Sequence, residues 1–177
     1  RIKVWSQNEN VDDVAKCLVK RSSLNKRRYR TAAVLTANGG RSALFKALET
    51  VAINEHGGDV SLVFVFTGQG AAYAGAVTSL LGDAAFREAY EESMQACSTH
   101  MDVSNLIRLG KDATASDLLD DASIAQPYGF CIAYALSKAL LAKTTKTLDA
   151  VVGHSLGEIA ACCVAGMLSL QEAARLV

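Results

Sequence analysis

The residues best placed to do chemistry are Gly153-His154-Ser155-Leu156-Gly157. A serine hydroxyl is a weak nucleophile, and the G-x-S-x-G spacing improves it by setting the serine on a strained strand-to-helix turn above the carboxyl edge of a sheet. The context fits: residues 148–152 form a short apolar run of strand length, and the residues from Leu156 onward favour a helix. Without Cβ atoms, Gly153 and Gly157 let strand and helix approach closely, while Ala160 and Ala161 keep that helix near the sheet. The helix N-terminus then points at Ser155. Its free N–H groups favour an oxyanion, and the Leu156 N–H, one residue past the serine, is the natural donor.

A second stretch offers a matching group. Residues 62–66 are a continuous apolar run, read as a parallel-sheet strand covered on both faces, and they lead into Thr67-Gly68-Gln69-Gly70 ahead of a helix. Glycines at a strand's carboxyl end let a loop bend close to a ligand with its N–H groups turned inward. A dinucleotide site is excluded, because the third glycine and the downstream acidic residue are not in place. If the two strands are parallel neighbours, both loops open on one edge, and the Gln69 and Leu156 backbone N–H groups face a common point. There they would hold the oxygen of a thioester carbonyl as Ser155 attacks it. Losing one such donor typically costs ~10² to 10³ in rate.

The elements that must position these loops follow from periodicity. Residues 2–5 read as a strand, Asn10 as the cap of a helix, residues 29–37 as a second strand and residues 41–53 as a second helix. The break at residues 54–59 marks a boundary, with His56 a solvated loop histidine. Asp83 caps a helix whose Phe86, Tyr90, Met94 and Cys97 recur at core spacing, and His100 at its end faces water. The polar region up to Ser123 holds one short helix, residues 116–121, whose Asp117, Asp120 and Asp121 show no metal-loop pattern. Pro127 suits the first turn of a buried helix running to about Lys143. Gly166 reads as a helix stop, and Ser169 with Glu172 as a capping box.

Composition narrows the class. Half of the 177 residues are apolar, enough for a packed core, and the 18 basic and 18 acidic residues balance. Basic residues cluster between Lys20 and Arg30, but a neutral total without interleaved aromatics argues against nucleic acid as a partner. Five cysteines at irregular spacing indicate neither a zinc knuckle nor a disulfide framework, and are read as buried thiols in a reducing cytosol. With no apolar run of ~18 residues and no secretory leader, the expectation is a cytoplasmic protein without a membrane partner. The chain opens without Met, in a strand, and Val177 falls in a helix scarcely begun, so it is read as a piece of something longer.

Three motifs together carry a resemblance. Phe66-Thr67-Gly68-Gln69-Gly70-Ala71, Ile124-Ala125-Gln126-Pro127, and the run from Gly153 to Ala161 followed by Ala165-Gly166-Met167-Leu168-Ser169-Leu170 resemble the acyltransferase domain of type I polyketide synthases and related fatty acid synthases. The resemblance implies an α/β fold: part of an α/β-hydrolase-like large subdomain over residues 60–177, a parallel sheet with helices on both faces. A partial α/β linker between ketosynthase and acyltransferase precedes it over residues 1–59, and the ferredoxin-like small subdomain is absent. It implies transfer of a malonyl-type acyl group from acyl-CoA to Ser155, then to the phosphopantetheine of an acyl carrier protein, with an adjacent ketosynthase domain and no bound cofactor or metal.

By the same resemblance Ser155 is the nucleophile and the Gln69 and Leu156 amides form the oxyanion hole, while His154, Gly68, Gly70 and Gln126 contact substrate. The family's catalytic histidine and carboxylate-binding arginine lie past Val177, so the 177 residues alone are expected to turn over slowly or not at all. Two departures from the family pattern stand out: residues 70–77 in the loop, and Tyr128-Gly129 after Pro127. Two other readings share the elbow: a serine hydrolase of the α/β-hydrolase class, against which the lack of an H-G-G-G-type segment argues, and a non-catalytic scaffold fragment.

Overall fold

In the computed structural model the chain divides into two compact units, residues 1–59 and 60–177. The structure describes residues 29–30, 54–55 and 61–177. In the first unit, β1 (Tyr29–Arg30) pairs antiparallel with β2 (Asn54–Glu55), Tyr29 opposite Glu55. Residues 54–55, expected within a break, thus carry a strand pair. The strand at 2–5, the helix from Asn10, the helix at 41–53 and His56 lie outside the described residues.

The second unit is built on two parallel strands, β3 (Val63–Phe66) and β4 (Ala150–Gly153), with Phe66 opposite Gly153. Both ends of the pair are fastened. At the start, Leu62 N–H donates to the Asp149 carboxylate at 2.6 Å and Asp149 N–H donates to the Leu62 carbonyl at 2.9 Å. At the finish, His154 N–H donates to the Phe66 carbonyl at 3.1 Å. Phe66 belongs to the core and Phe64 packs against it, as strand alternation requires. On the opposite face Val65 is 74% and Val152 54% exposed among the described residues.

The helices supply the core. The Asp83 carboxylate caps α1 (Ala84–Ser98) by accepting from Phe86 N–H, and Phe86, Tyr90, Met94 and Cys97 are buried as their spacing predicts. Between β3 and α1 the chain forms turns at residues 74–82 instead of the expected helix. The polar region contains an unforeseen helix, α2 (Ser104–Lys111), which buries Leu106 and Leu109, followed by a 3-10 helix, Ser116–Asp120.

Helix α3 (Ala122–Ala142) starts earlier than Pro127 suggests, because Asp121 accepts from Ser123 N–H and caps it there. Pro127 is therefore its sixth residue. Helix α4 (Leu156–Val164) follows the elbow and ends near Gly166, whose φ of +76° suits only glycine comfortably. Ser169 and Glu172 form the expected capping box of α5 (Leu170–Leu176). No described helix is long and apolar enough to cross a membrane, and the described residues hold no group of three or more metal-ligating side chains.

Candidate active site

Ser155 sits at φ 54°, ψ −121°, and among the described residues it is the only non-glycine with positive φ. Such a conformation costs of order 1–3 kcal/mol and persists only where the surroundings impose it. They do so here through two glycines. A Cβ at Gly153 would lie 2.4 Å from the Gly157 carbonyl oxygen and 2.5 Å from Glu158 Cα. One at Gly157 would lie 2.4 Å from the Phe66 carbonyl oxygen and 2.6 Å from that of Thr67. Strand β4, helix α4 and the end of β3 thus meet backbone to backbone.

The loop after β3 lies against this turn. A Cβ at Gly68 would meet His154 Nδ1 at 2.9 Å, the His154 carbonyl oxygen at 3.2 Å and Ser155 Cβ at 3.5 Å. Because β3 and β4 are parallel, both loops leave the same edge, and Gln69 and Leu156 line one wall of the same cavity. Neither the Gln69 N–H nor the Leu156 N–H donates to a described protein acceptor, whereas Gly157 N–H and Glu158 N–H donate back to the His154 and Ser155 carbonyls, both at 2.9 Å. Two amide donors of the loops at this sheet edge therefore have no acceptor among the described residues, and Ser155 is exposed at the same edge.

The remaining residues of interest gather around that loop. Gln126, on the second turn of α3, donates through Nε2 to Gln69 Oε1 at 3.1 Å, so it braces the loop through the Gln69 side chain. Gly70, at φ +96°, turns the loop, and a Cβ there would meet nothing within 4 Å. Tyr128, fully buried, donates from its hydroxyl toward the Tyr73 and Leu109 carbonyls at 3.2 and 3.3 Å, and burial pushes that phenol up to about 12. His154 and Ser155 are both exposed, with the imidazole against Gly68. Among the described residues no acid or base is hydrogen-bonded to the Ser155 hydroxyl. His100 is exposed at the end of α1, as expected.

Sequence reasoning missed the cavity itself. It has a volume of about 220 Å³ and lies between the loop and α3, with Ala125, Gly129, Phe130, Ala133 and Leu136 of α3 in its walls. The one available signal was Gly129, a glycine inside a long helix, where it costs ~1 kcal/mol relative to alanine. A larger cavity of about 440 Å³ between α1 and α2 shares no residue with the elbow.

Comparison with known proteins places these features among relatives. Residues 63–177 match the acyl transferase domain family. The chain is 34% identical to mycoketide-CoA synthase of Mycobacterium tuberculosis over 178 aligned residues, 95% of this chain but 4% of that protein. The crystal structure of the acyltransferase domain from the second module of the salinomycin polyketide synthase aligns at 30% identity and a TM-score of 0.61, covering 99% of this chain and 42% of that one. Malonyl-CoA:acyl carrier protein transacylase from Xanthomonas oryzae pv. oryzae aligns at 28% identity and a TM-score of 0.57, covering 67% of this chain and 36% of that one. The chain thus spans a small part of the synthase and less than half of either solved structure.

Proposed function

The chain belongs to the acyl transferase domain family, and from that premise we propose that it loads an acyl group from acyl-CoA onto Ser155 and passes it to the phosphopantetheine thiol of an acyl carrier protein. The Ser155 oxygen attacks the thioester carbonyl, its proton goes to a base, and the C–S bond breaks as the coenzyme A thiolate leaves and takes up a proton. The carrier thiol then attacks the serine ester, the C–O bond breaks, and the serine oxygen recovers its proton. In both halves the carbonyl oxygen becomes an oxyanion, and the Gln69 and Leu156 N–H groups are assigned to hold it. Gly68, Gly70, His154 and Gln126 shape and brace the approach of the thioester. The base comes from the part of the acyltransferase domain that this chain does not span.

The observation that carries this reading is the parallel register of Phe66 with Gly153, combined with the left-handed Ser155. It supports the reading because Ser155, on a strained backbone, and the Gln69 and Leu156 amides then belong to loops that leave one sheet edge. The names of the relatives support the finer points: malonyl-type acyl-CoA as donor, an acyl carrier protein as acceptor, and a polyketide synthase as the setting. Residues 1–59 are assigned in this reading to a linker from an adjacent ketosynthase, on the resemblance alone. A cytoplasmic location follows from that setting.

The test is intact-protein mass spectrometry of the full-length protein incubated with malonyl-CoA. Wild type is expected to gain one malonyl group that a holo acyl carrier protein removes, and Ser155→Ala is expected to gain none. Rapid turnover of a simple ester without a lasting malonyl-serine would overturn the transfer reading in favour of hydrolysis.

A further inference from the structure

We propose that the cavity beside the oxyanion loop receives an alkyl chain of several carbons, carried by the acyl group that is bound to Ser155, and that Gly129 keeps its neck open. The inference rests on the acyl-transfer reading and adds to it the class of acyl group. Gln69 and Leu156 line the cavity and also carry the two free amides, so the space is continuous with the point where the thioester carbonyl would sit. From there it runs along α3, between Ala125, Gly129, Phe130, Ala133 and Leu136 on one side and Ala160 of α4 on another.

The lining decides the chemistry. Among the described residues no charged side chain lines this cavity, and the polar side chains, Thr67 and Gln69, belong to the loop at its entrance. A carboxylate pushed inside would lose its water without gaining a cation or a donor network, at a cost of several kcal/mol. An alkyl chain loses nothing and gains ~0.8 kcal/mol per methylene removed from water. The volume of about 220 Å³ is roughly seven times the ~30 Å³ share of one liquid water. A methylene needs about as much space as a water, so a chain of four carbons fits and a single methyl leaves most of the cavity empty.

Gly129 is where the neck closes. A Cβ built there would meet Leu156 Cδ2 at 3.3 Å on the elbow side and Ala72 Cβ at 4.0 Å on the loop side, spanning the gap between the two walls. The helix gives up ~1 kcal/mol of propensity to keep that atom out. Gly129→Ala is therefore compatible with folding, since the one tight contact is the end of a leucine side chain that can shift.

The experiment compares acyl-Ser155 formation in the full-length protein from malonyl-CoA, hexanoyl-CoA and butylmalonyl-CoA, followed by intact mass. The last two carry the same four-carbon chain beyond the α-carbon, without and with a free carboxylate, so they separate a simple fatty acyl donor from a substituted malonyl donor. Wild type is expected to load at least one of them, and Gly129→Ala to lower its rate relative to malonyl by at least tenfold, the usual effect of one methyl group in an apolar pocket. Ala133→Val, deeper along the same helix, is a second filling variant should the first fold poorly, and a melting curve checks each. Malonyl loading without either alkyl substrate would overturn the cavity assignment and leave acyl transfer standing. Alkyl loading that neither filling variant changes relative to malonyl would also overturn it. No acylation of Ser155 by any of the three would overturn the transfer reading and this inference with it.

Discussion

Replacing Gly157 by alanine should damage the site through the backbone alone. The new Cβ would lie 2.4 Å from the Phe66 carbonyl oxygen, 2.6 Å from the Thr67 oxygen and 2.7 Å from the Phe66 carbonyl carbon. Carbon–oxygen contacts close at ~3.3 Å, so α4 must recede from β3 by about 0.9 Å, and no rotamer change can relieve a clash with main chain. Overpacking of this kind costs up to ~3 kcal/mol, and the alanine returns ~1 kcal/mol in helix propensity. A net loss of about 2 kcal/mol lowers Tm by about 4–8 °C for a domain of this size. The same displacement carries the Leu156 N–H, one residue earlier, away from the oxyanion position proposed for it, and a misplacement near 1 Å is worth ~10²-fold in rate. Malonyl-Ser155 formation in the full-length protein, timed by rapid quench and intact mass, should therefore slow about a hundredfold. Gly82→Ala is the control, because a Cβ there meets nothing within 4 Å and its φ lies outside the left-handed region that favours glycine. Wild-type Tm and a loading rate within threefold of wild type for Gly157→Ala would refute the idea that close backbone approach sets the site.

Three further outcomes are expected. Gln126→Ala removes the amide that braces Gln69, and losing a neutral hydrogen bond worth ~1 kcal/mol should slow acylation about fivefold with a Tm loss of no more than about 4 °C. The hydrogen bond from Lys143, then that from Phe86 N–H, holds the Asp83 carboxyl below its usual value. Its stabilising effect is thus fully present above the unfolded-state pKa near 4 and is lost as pH falls through the lower folded value. Asp83→Asn should lower Tm at pH 6 and narrow the gap to wild type in melts near pH 2. Cys97 and Cys131 are fully buried with their sulfurs 3.7 Å apart, the Cys131 thiol is pushed up by the Cys97 hydrogen bond, and Cys163 is buried as well. Peptide mapping after iodoacetamide treatment of the folded protein should find Cys162, which is half-buried, alkylated before those three.

What the sequence revealed depended on whether a local rule met competition. The elbow was legible because G-x-S-x-G needs close backbone approach, and a Cβ at either glycine would meet main chain within 2.6 Å. The face of α1 was legible because four large residues share one spacing. Helix α2 was hidden: it is eight residues long, it buries Leu106 and Leu109 and little else, and it lies between Asp102 and Asp112, each of which accepts from the N–H two residues on. Those aspartate turns dominate the local composition. Pro127 misplaced the start of α3 because the same kind of turn at Asp121 begins the helix five residues earlier, and proline gives up only the bond to the Ser123 carbonyl. The missing helix after Gly70 has its cause in Gly70 and Gly75, both at positive φ, which turn the chain where periodicity alone would carry it on. No local pattern encodes the cavity, since it is the gap left between α3, the loop and α4.

The two departures from the family pattern turn out to be one structural feature. The loop beyond Gln69 runs through Ala72, Tyr73 and Gly75, and the Tyr73 side chain is 65% exposed, so it does little to anchor the loop by packing. Its carbonyl does that instead, by accepting from the buried Tyr128 hydroxyl, while Gly75 N–H donates to the Leu109 carbonyl at 2.7 Å. Tyr128 reaches both the Tyr73 and the Leu109 carbonyls, and thereby ties the loop to α2 and α3 at once. A loop held through main-chain carbonyls tolerates change in its side chains. A tyrosine on α3 that supplies the anchor also sets the depth at which the next residue faces the cavity, and there Gly129 leaves the space open. The unusual pair Tyr128-Gly129 thus does two jobs one residue apart: the first ties down the loop that carries Gln69, and the second leaves the space behind that loop open.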